Sequence, residues 1–219
     1  MVRRGGAGGG ARDASPLWFW LYVTLAEAMH IRRLAAFLVG AWLLGSLSMF
    51  FVATQNFQGV EQVLDRPADK ANPALRQLGH EEARFLLRYQ VSELNRFYFN
   101  VWERVQLALG VGLTLLAWRW PWRRNIVFVP AVLLLIVAAS HWFMTPEITH
   151  LGRLMDFVPN ARETETGRVF WRYHQIYSTL EVLKFLLGLY LAFTLLARSR
   201  SSASSSARGV REVDVIDNP

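Results

Sequence analysis

The sequence predicts an all-α integral membrane protein built as a bundle of four spanning helices. Four segments are both apolar and long enough to cross a hydrocarbon core about 30 Å thick, because an α-helix rises about 1.5 Å per residue. They cover residues 34–54, 99–118, 126–144 and 177–197. Arginines accompany these segments at particular ends, and this distribution indicates how the helices are oriented. We expect one transmembrane domain over residues 16–197.

The composition agrees with this fold class and excludes several kinds of site. At 53% hydrophobic residues the chain is only modestly more apolar than a soluble protein, so the segmentation carries the argument. Because the chain has no cysteine, it has no disulfide, thiolate metal site or cysteine nucleophile. Its net charge is +7, but the arginines flank apolar segments instead of forming one basic stripe. We therefore expect the lipid bilayer as a partner and no nucleic acid.

The chain before the first span divides into two parts. Residues 1–15 are largely glycine-rich and basic, which predicts a disordered cytoplasmic arm. Ser15-Pro16 then begins a helix over about residues 17–30 that is rich in aromatic side chains. This segment is too short to span, so we expect a separate helix that lies in the membrane interface and ends at Arg32 and Arg33. The alternative is a cytoplasmic extension of the first span.

Basic residues beside the spans predict the topology. They precede the first span, fill the turn between the second and third, and follow the fourth. By the positive-inside rule these three places face the cytoplasm, so a multi-pass protein of the cell membrane with both termini cytoplasmic is expected. The short turn also holds Pro121 between tryptophans, which predicts an antiparallel hairpin of spans two and three. The arginines concerned are Arg32, Arg33, Arg119, Arg123, Arg124, Arg198 and Arg200.

The segments outside the spans are predicted from turn residues and periodicity. Residues 58–79 contain two prolines among mixed charges and are expected to form a loop, after which helical periodicity returns at Glu81, well outside the membrane. Thr145-Pro146 predicts a short amphipathic helix on the outer surface that ends before Pro159. Residues 198–219 are a serine run and an acidic end, for which we expect disorder.

Small residues spaced four apart predict where helices approach each other closely. This spacing places two small side chains on one face of a helix. Pairs in three of the spans favour a tightly packed bundle. The pairs are Ala36 with Gly40, Ala41 with Gly45, Ala108 with Gly112, and Gly188 with Ala192.

Polar residues inside the spans form the candidate site. All four spans carry polar groups in the outer third of the membrane, and ionisable groups at such depth normally turn inward and pair. We expect Glu103 or Glu181 to pair with Arg104 or Lys184. The residues proposed to line a site are Glu103, Arg104, His141, His174, Glu181 and Lys184.

Two interpretations of this cluster stay open. In the first, the charged groups satisfy one another and set the order and register of the helices. In the second, they line an outward-facing pocket that binds an ion or a small polar ligand. Histidine and carboxylate together could ligate a divalent metal ion, but the signal for a metal is weak, because no Glu-x-x-His or His-x-x-x-His pair occurs among the site residues. A haem held between His141 and His174 is weaker still, and no cofactor is expected.

The order of the elements carries a family resemblance. It rests on single residues: four in the first span, two beyond the third and three entering the fourth. On these residues, over 34–197, the chain resembles the uncharacterised transmembrane protein 205-like family of four-helix membrane proteins. Two features depart from the family: Ala53 is followed by Thr54 instead of proline, and the loop after Phe57 is longer. The resemblance implies a four-helix membrane protein without an assigned reaction. The residues are Trp42, Gly45, Phe50, Ala53, Pro146, Arg153, Phe170, His174 and Ser178.

Motifs for catalysis are not found in the sequence. No nucleophile elbow is present, and Gly5 to Gly10 lack the following lysine and hydroxyl that a phosphate-binding loop uses. We therefore expect no enzyme. The prediction is a structural, accessory or interaction module that acts with a membrane-protein partner or as a homo-oligomer. The alternative is binding of a metal ion or small polar ligand in the outward-facing pocket, in connection with transport or resistance.

Overall fold

The computed structural model describes residues 17–65, 73–119 and 124–216. Throughout these ranges the chain is helical or in short turns, with no β-strand. The helices are α1 (Leu17–Leu64), α2 (Pro73–Leu78), α3 (His80–Arg119), α4 (Arg124–Ala139), α5 (Thr145–Met155) and α6 (Glu165–Ile216). A π-helical turn over Ser140–Met144 joins α4 to α5, and a short 3-10 turn over Ala161–Glu163 precedes α6.

Four rods, namely α1, α3, α4 continued by α5, and α6, pack side by side in that cyclic order. Neighbouring rods are antiparallel. Gly110 of α3 contacts Leu134 of the next rod, and Glu103 contacts His141, so the residue number falls along α3 as it rises along its neighbour. This arrangement confirms the predicted antiparallel contact of the second and third segments, although their connecting residues 120–123 lie outside the described ranges. The rods α3 and α6 are diagonal to each other and run in the same direction.

A purely apolar core fills the half of the structure nearer to Arg119. Each rod contributes side chains at helical spacing, for example Leu113 and Ala117 from α3. Small residues permit the close approach: a β-carbon at Gly110 would lie 3.1 Å from a methyl group of Leu134. Gly40, in contrast, has nothing within 4 Å of its β-carbon position and faces outward, so the predicted pair with Ala36 makes no contact between helices. The buried core residues are Ala35, Val39, Trp42, Leu113, Ala117, Leu133, Val137, Leu191 and Leu195.

Three helical stretches are long and apolar enough to cross a membrane: Met29–Leu64, Phe128–Met155 and Glu165–Ala197. Most of their residues face outward, as lipid-covered helices require. The fourth predicted span, in α3, does not reach the same hydropathy, because it carries Glu103 and Gln106 on its inward face and Arg104 on its outward face.

The structure differs from the sequence expectations at four boundaries. α1 is continuous from Leu17, so the separate interfacial helix is wrong and the alternative of an extended first helix is correct; no proline or glycine interrupts residues 17–39. α1 also continues to Leu64, which shortens the predicted loop. The π-turn makes α5 a direct continuation of α4. Finally, α6 extends through residues 198–216, where disorder was expected, since no proline there ends the helix.

Candidate functional site

The candidate site is a set of polar side chains enclosed between the rods. It lies next to the apolar core, on the side farther from Arg119. Glu103, Gln106, Ser140 and Lys184 each have no exposed surface. Buried polar groups are costly unless hydrogen-bonded, and more costly when charged. The hydrogen bonds of these four groups therefore indicate whether the site stabilises the bundle or is open to a ligand.

Glu103 is held by three donors from two other rods. Thr145 Oγ1 donates to its Oε1 at 2.5 Å, Tyr177 Oη donates to the same oxygen at 2.9 Å, and His141 Nδ1 lies 2.9 Å from Oε2. Glu103 lies on the inward face of α3 together with Gln106, Gly110 and the buried residues that follow at spacings of three and four. Its carboxylate is thus completely enclosed by side-chain donors.

Lys184 is the cationic member of the site. Its Nζ donates to Glu181 Oε1 at 2.5 Å, three residues earlier on α6, and to Gln106 Oε1 at 2.9 Å on α3. Gln106 Nε2 in turn lies 3.5 Å from Ser46 Oγ on α1. A chain of polar contacts therefore connects α6 through α3 to α1.

These contacts join the diagonal rods across the interior. Tyr177 reaches Glu103 and Lys184 reaches Gln106, so two pairs at nearly the same offset along the chain connect α6 with α3. An apolar interior places no such requirement on register, because many packings bury similar area. Two directional pairs admit only one sliding position of α6 against α3.

The π-turn brings the His141 and Thr145 side chains to the same carboxylate. Single π-turns inside α-helices often occur at functional sites, since the extra residue changes the face that the following side chains occupy. His141 and Thr145 are four apart, and both contact Glu103. The turn also buries Ser140, whose Oγ has no hydrogen-bond partner within the described part of the chain.

The enclosed ionisable side chains comprise two acidic residues, Glu103 and Glu181, and two basic ones, His141 and Lys184. Of these four, Glu181 and His141 have the most exposed side chains, at 23% and 16%.

The structure unites four of the six predicted site residues: Glu103, His141, Glu181 and Lys184. Of the pairings left open between Glu103 or Glu181 and Arg104 or Lys184, the structure shows the one between Glu181 and Lys184. Arg104 does not join them, because it lies about 100° around α3 from Glu103 and is exposed.

His174 is also outside the cluster. Its ring stacks on Phe170 at 5.7 Å between centroids and meets Trp171 edge-on at 5.3 Å. The prediction omitted Gln106, Thr145 and Tyr177 from the site. A helical-spacing rule finds all three, since each lies three or four residues from a predicted member on the same helix.

A second polar cluster lies farther out, where α3 meets α5. Arg96 donates to Glu93 at 2.6 Å and to Asp156 at 2.9 Å, and Arg153 donates to both oxygens of Glu93. The hydrogen bond from Arg153, helped by Arg96, holds the pKa of Glu93 below its usual 4.5. Gly152 leaves room for this cluster, since a β-carbon there would lie 2.9 Å from a guanidinium nitrogen of Arg96.

Within the described residues, no group of three histidine, aspartate or glutamate side chains is arranged to hold a metal ion. The chain matches no protein-family model, and neither curated proteins nor solved structures show significant similarity to it. The resemblance to the transmembrane protein 205-like family therefore stays a prediction, and the functional argument depends on the geometry of this chain.

Proposed function

We propose that this chain is a multi-pass protein of the cell membrane, a four-helix bundle that acts as a structural, accessory or interaction module and not as an enzyme. The observation that carries the proposal is the enclosed polar site. Its carboxylate, ammonium and amide groups find their partners within the chain, and three of them have no exposed surface. Side chains that already form hydrogen bonds with one another can fix the arrangement of the helices, but they have few free donors or acceptors for a substrate.

The fourth span in this proposal is the part of α3 near residues 99–118. Its charged and amide groups at 103 and 106 face the interior, while the outward face presents the apolar residues Val101, Val105, Val111 and Leu115, together with one exposed arginine, Arg104. The mean hydropathy of the whole segment combines these two faces. A helix that faces lipid on one side and a polar interior on the other requires such a division between its faces. We infer that α3 crosses the membrane together with the three more apolar stretches.

The proposed orientation places the apolar half of the interior toward the cytoplasm. Arg32 and Arg33 on α1 and Arg119 at the end of α3 lie at that end of the rods, which supports a cytoplasmic location. The enclosed polar site then lies in the outer half of the membrane, below the outer cluster around Arg96.

Cysteine labelling tests this topology without background, because the chain has no cysteine. Gln62→Cys and Asn160→Cys are expected to react with a membrane-impermeant maleimide added to intact cells. Arg33→Cys is expected to react only after the membrane is permeabilised. Labelling of position 33 in intact cells, or a chain that stays monodisperse without detergent, contradicts the proposal.

An accessory role predicts a companion chain. Native mass spectrometry of a gentle detergent preparation is expected to show a stoichiometric membrane-protein partner or a homo-oligomer. A strictly monomeric chain without any companion argues against the interaction role and leaves only the structural one.

A second candidate function is binding of a small polar ligand at the outer end of the site. The observation in its favour is the fully buried hydroxyl of Ser140, which has no hydrogen-bond partner among the described residues and precedes the partly exposed His141 in the chain. In the same preparation, a bound small molecule in the mass spectrum or a metal in elemental analysis supports this candidate. Substitution Glu181→Leu separates the two: loss of ligand with unchanged thermal stability favours binding, and lowered stability favours the packing role.

A further inference from the structure

Between Phe97 and Leu115, Arg104 is the one charged residue among the exposed side chains of α3. The face turned away from the interior presents Phe97, Val101, Val105 and Ala108 around it, and all of them are exposed. Arg104 itself is exposed, although its neighbour Glu103 has no exposed surface. None of the ion pairs among the described residues includes Arg104, so its guanidinium is available to an anion that approaches this face.

The position of Arg104 along α3 defines its depth, given the four-span arrangement proposed above. Arg104 lies 15 residues before Arg119, which corresponds to about 22 Å of helix. In a hydrocarbon core about 30 Å thick, its α-carbon is then about 8 Å below the outer edge. A long arginine side chain at this depth extends toward the headgroups while its aliphatic part stays in the hydrocarbon.

We propose that Arg104 binds the phosphate of an outer-leaflet phospholipid, with Asn100 as a second donor. Asn100 lies one helical turn closer to the outer surface and is half-buried, so its amide faces the same approach. A planar guanidinium donates two parallel hydrogen bonds to a phosphate. The flanking apolar residues provide the surface for the acyl chains. A second copy of this chain is a poorer occupant, since a two-fold axis along this face brings two Arg104 side chains together.

The experiment is a lipid titration followed by native mass spectrometry. The full chain is delipidated in a non-ionic detergent, and phosphatidylglycerol or a phosphate-free galactolipid is added. Wild type is expected to bind the first phosphatidylglycerol about tenfold or more tightly than Arg104→Gln, with Arg104→Lys between them. Galactolipid binding is expected to be weak and equal in all three, and inorganic phosphate at the same concentration is not expected to displace the lipid.

Arg88→Gln is the matched control. Arg88 is also exposed on α3, but it is paired with Glu61 at 3.0 Å and lies about 24 Å farther out. Its variant is expected to bind phosphatidylglycerol as wild type does. Equal lipid affinity of Arg104→Gln and wild type overturns the proposal, as does displacement of the lipid by inorganic phosphate. Loss of a co-purifying protein in Arg104→Gln, with lipid binding intact, also overturns it.

Failure of this inference is distinguishable from failure of the proposed function. Ala108→Cys, one turn below Arg104 on the exposed face, is expected to be inaccessible to a membrane-impermeant maleimide. Labelling at position 108 shows that α3 lies outside the membrane and removes the premise. A protected position 108 together with unchanged lipid affinity of Arg104→Gln leaves the topology intact and overturns the lipid site alone.

Discussion

The two halves of the interior are held together by different physics. In the half nearer to Arg119 the packed side chains are apolar, such as Val39, Trp42 and Leu191. In the outer half Glu103 and Lys184 are as completely buried as those core residues, but they are charged. The same rods thus pass from an apolar to a polar interior along their length.

The difference teaches which half specifies the arrangement of the helices. In the proposed membrane setting, apolar side chains gain little from leaving the solvent, since lipid tails are equally apolar, so the inner half depends on close fit alone. The outer half uses directional hydrogen bonds, whose loss leaves a buried polar group without a partner. We expect substitutions in the outer half to cost more and to change helix register, and those in the inner half to cost less.

The largest effect is expected from Glu103→Ala. It removes the acceptor shared by Thr145, Tyr177 and His141, so three donors lose their partner in an enclosed space. The expected loss of unfolding free energy is about 3–5 kcal/mol, measured by thermal or denaturant unfolding in detergent. Val105→Ala, two residues away and exposed, is the control and is expected to cost less than about 1 kcal/mol. Equal costs for the two variants contradict the assignment of specificity to the outer half.

A double-mutant cycle on Glu181 and Lys184 is expected to show the next effect. Lys184→Met removes the hydrogen bonds that Lys184 donates to Glu181 Oε1 and to Gln106 Oε1, at a cost of about 2–4 kcal/mol. Adding Glu181→Leu is expected to restore part of that loss, because the uncompensated carboxylate is gone. The measurement is the coupling free energy of the cycle. Additive costs mean that the pair is not coupled and that the network does not act as a unit.

In the inner half, a smaller effect is expected from filling a helix contact. Gly110→Leu adds a side chain at a close helix contact. Even a β-carbon at this position would lie 3.1 Å from a methyl group of Leu134 and 3.5 Å from the α-carbon of Leu134. Overpacking of this kind costs about 1–3 kcal/mol in detergent unfolding. Gly40→Leu is the matched control, since nothing lies within 4 Å of Gly40, and it is expected to be neutral or slightly stabilising. A destabilising Gly40→Leu indicates an additional contact on that face.

The sequence predicts the helical segments, and it includes the Glu181–Lys184 pair among the possible pairings, because both follow from local spacing. Hydropathy over about 20 residues marks a long helix wherever it lies, and two residues three apart on one helix share a face. Continuity is harder to predict: Arg32 and Arg33 look like the end of an interfacial helix, yet no breaker separates them from the first span, and α1 continues through both.

The composition of the enclosed site depends on rotation about the helix, which the sequence does not specify for adjacent charges. From the sequence, either Glu103 or Arg104 could face the interior. Packing against two other rods, through His141 and Tyr177, determines that Glu103 is the enclosed one. Tyrosine is common at membrane interfaces, so the sequence does not mark Tyr177 as a site residue. Its hydroxyl is recognised as part of the site only once Glu103 is known to lie opposite it. His174 is removed from the site by aromatic neighbours on its own helix.

The smallest expected effect concerns the outer cluster and sharpens the comparison by titration. The hydrogen bond from Arg153 lowers the pKa of Glu93, so the stability it contributes is complete above the unfolded-chain value near 4.5 and is lost as the pH falls through the lower folded value. Glu93→Gln is expected to reduce the fall in Tm between pH 6 and pH 3 by about 2 °C, because this cluster is partly exposed. Glu82→Gln, exposed on the same helix, is the control. An unchanged acid dependence in Glu93→Gln means that the outer cluster contributes nothing, and that the enclosed site alone holds the outer half together.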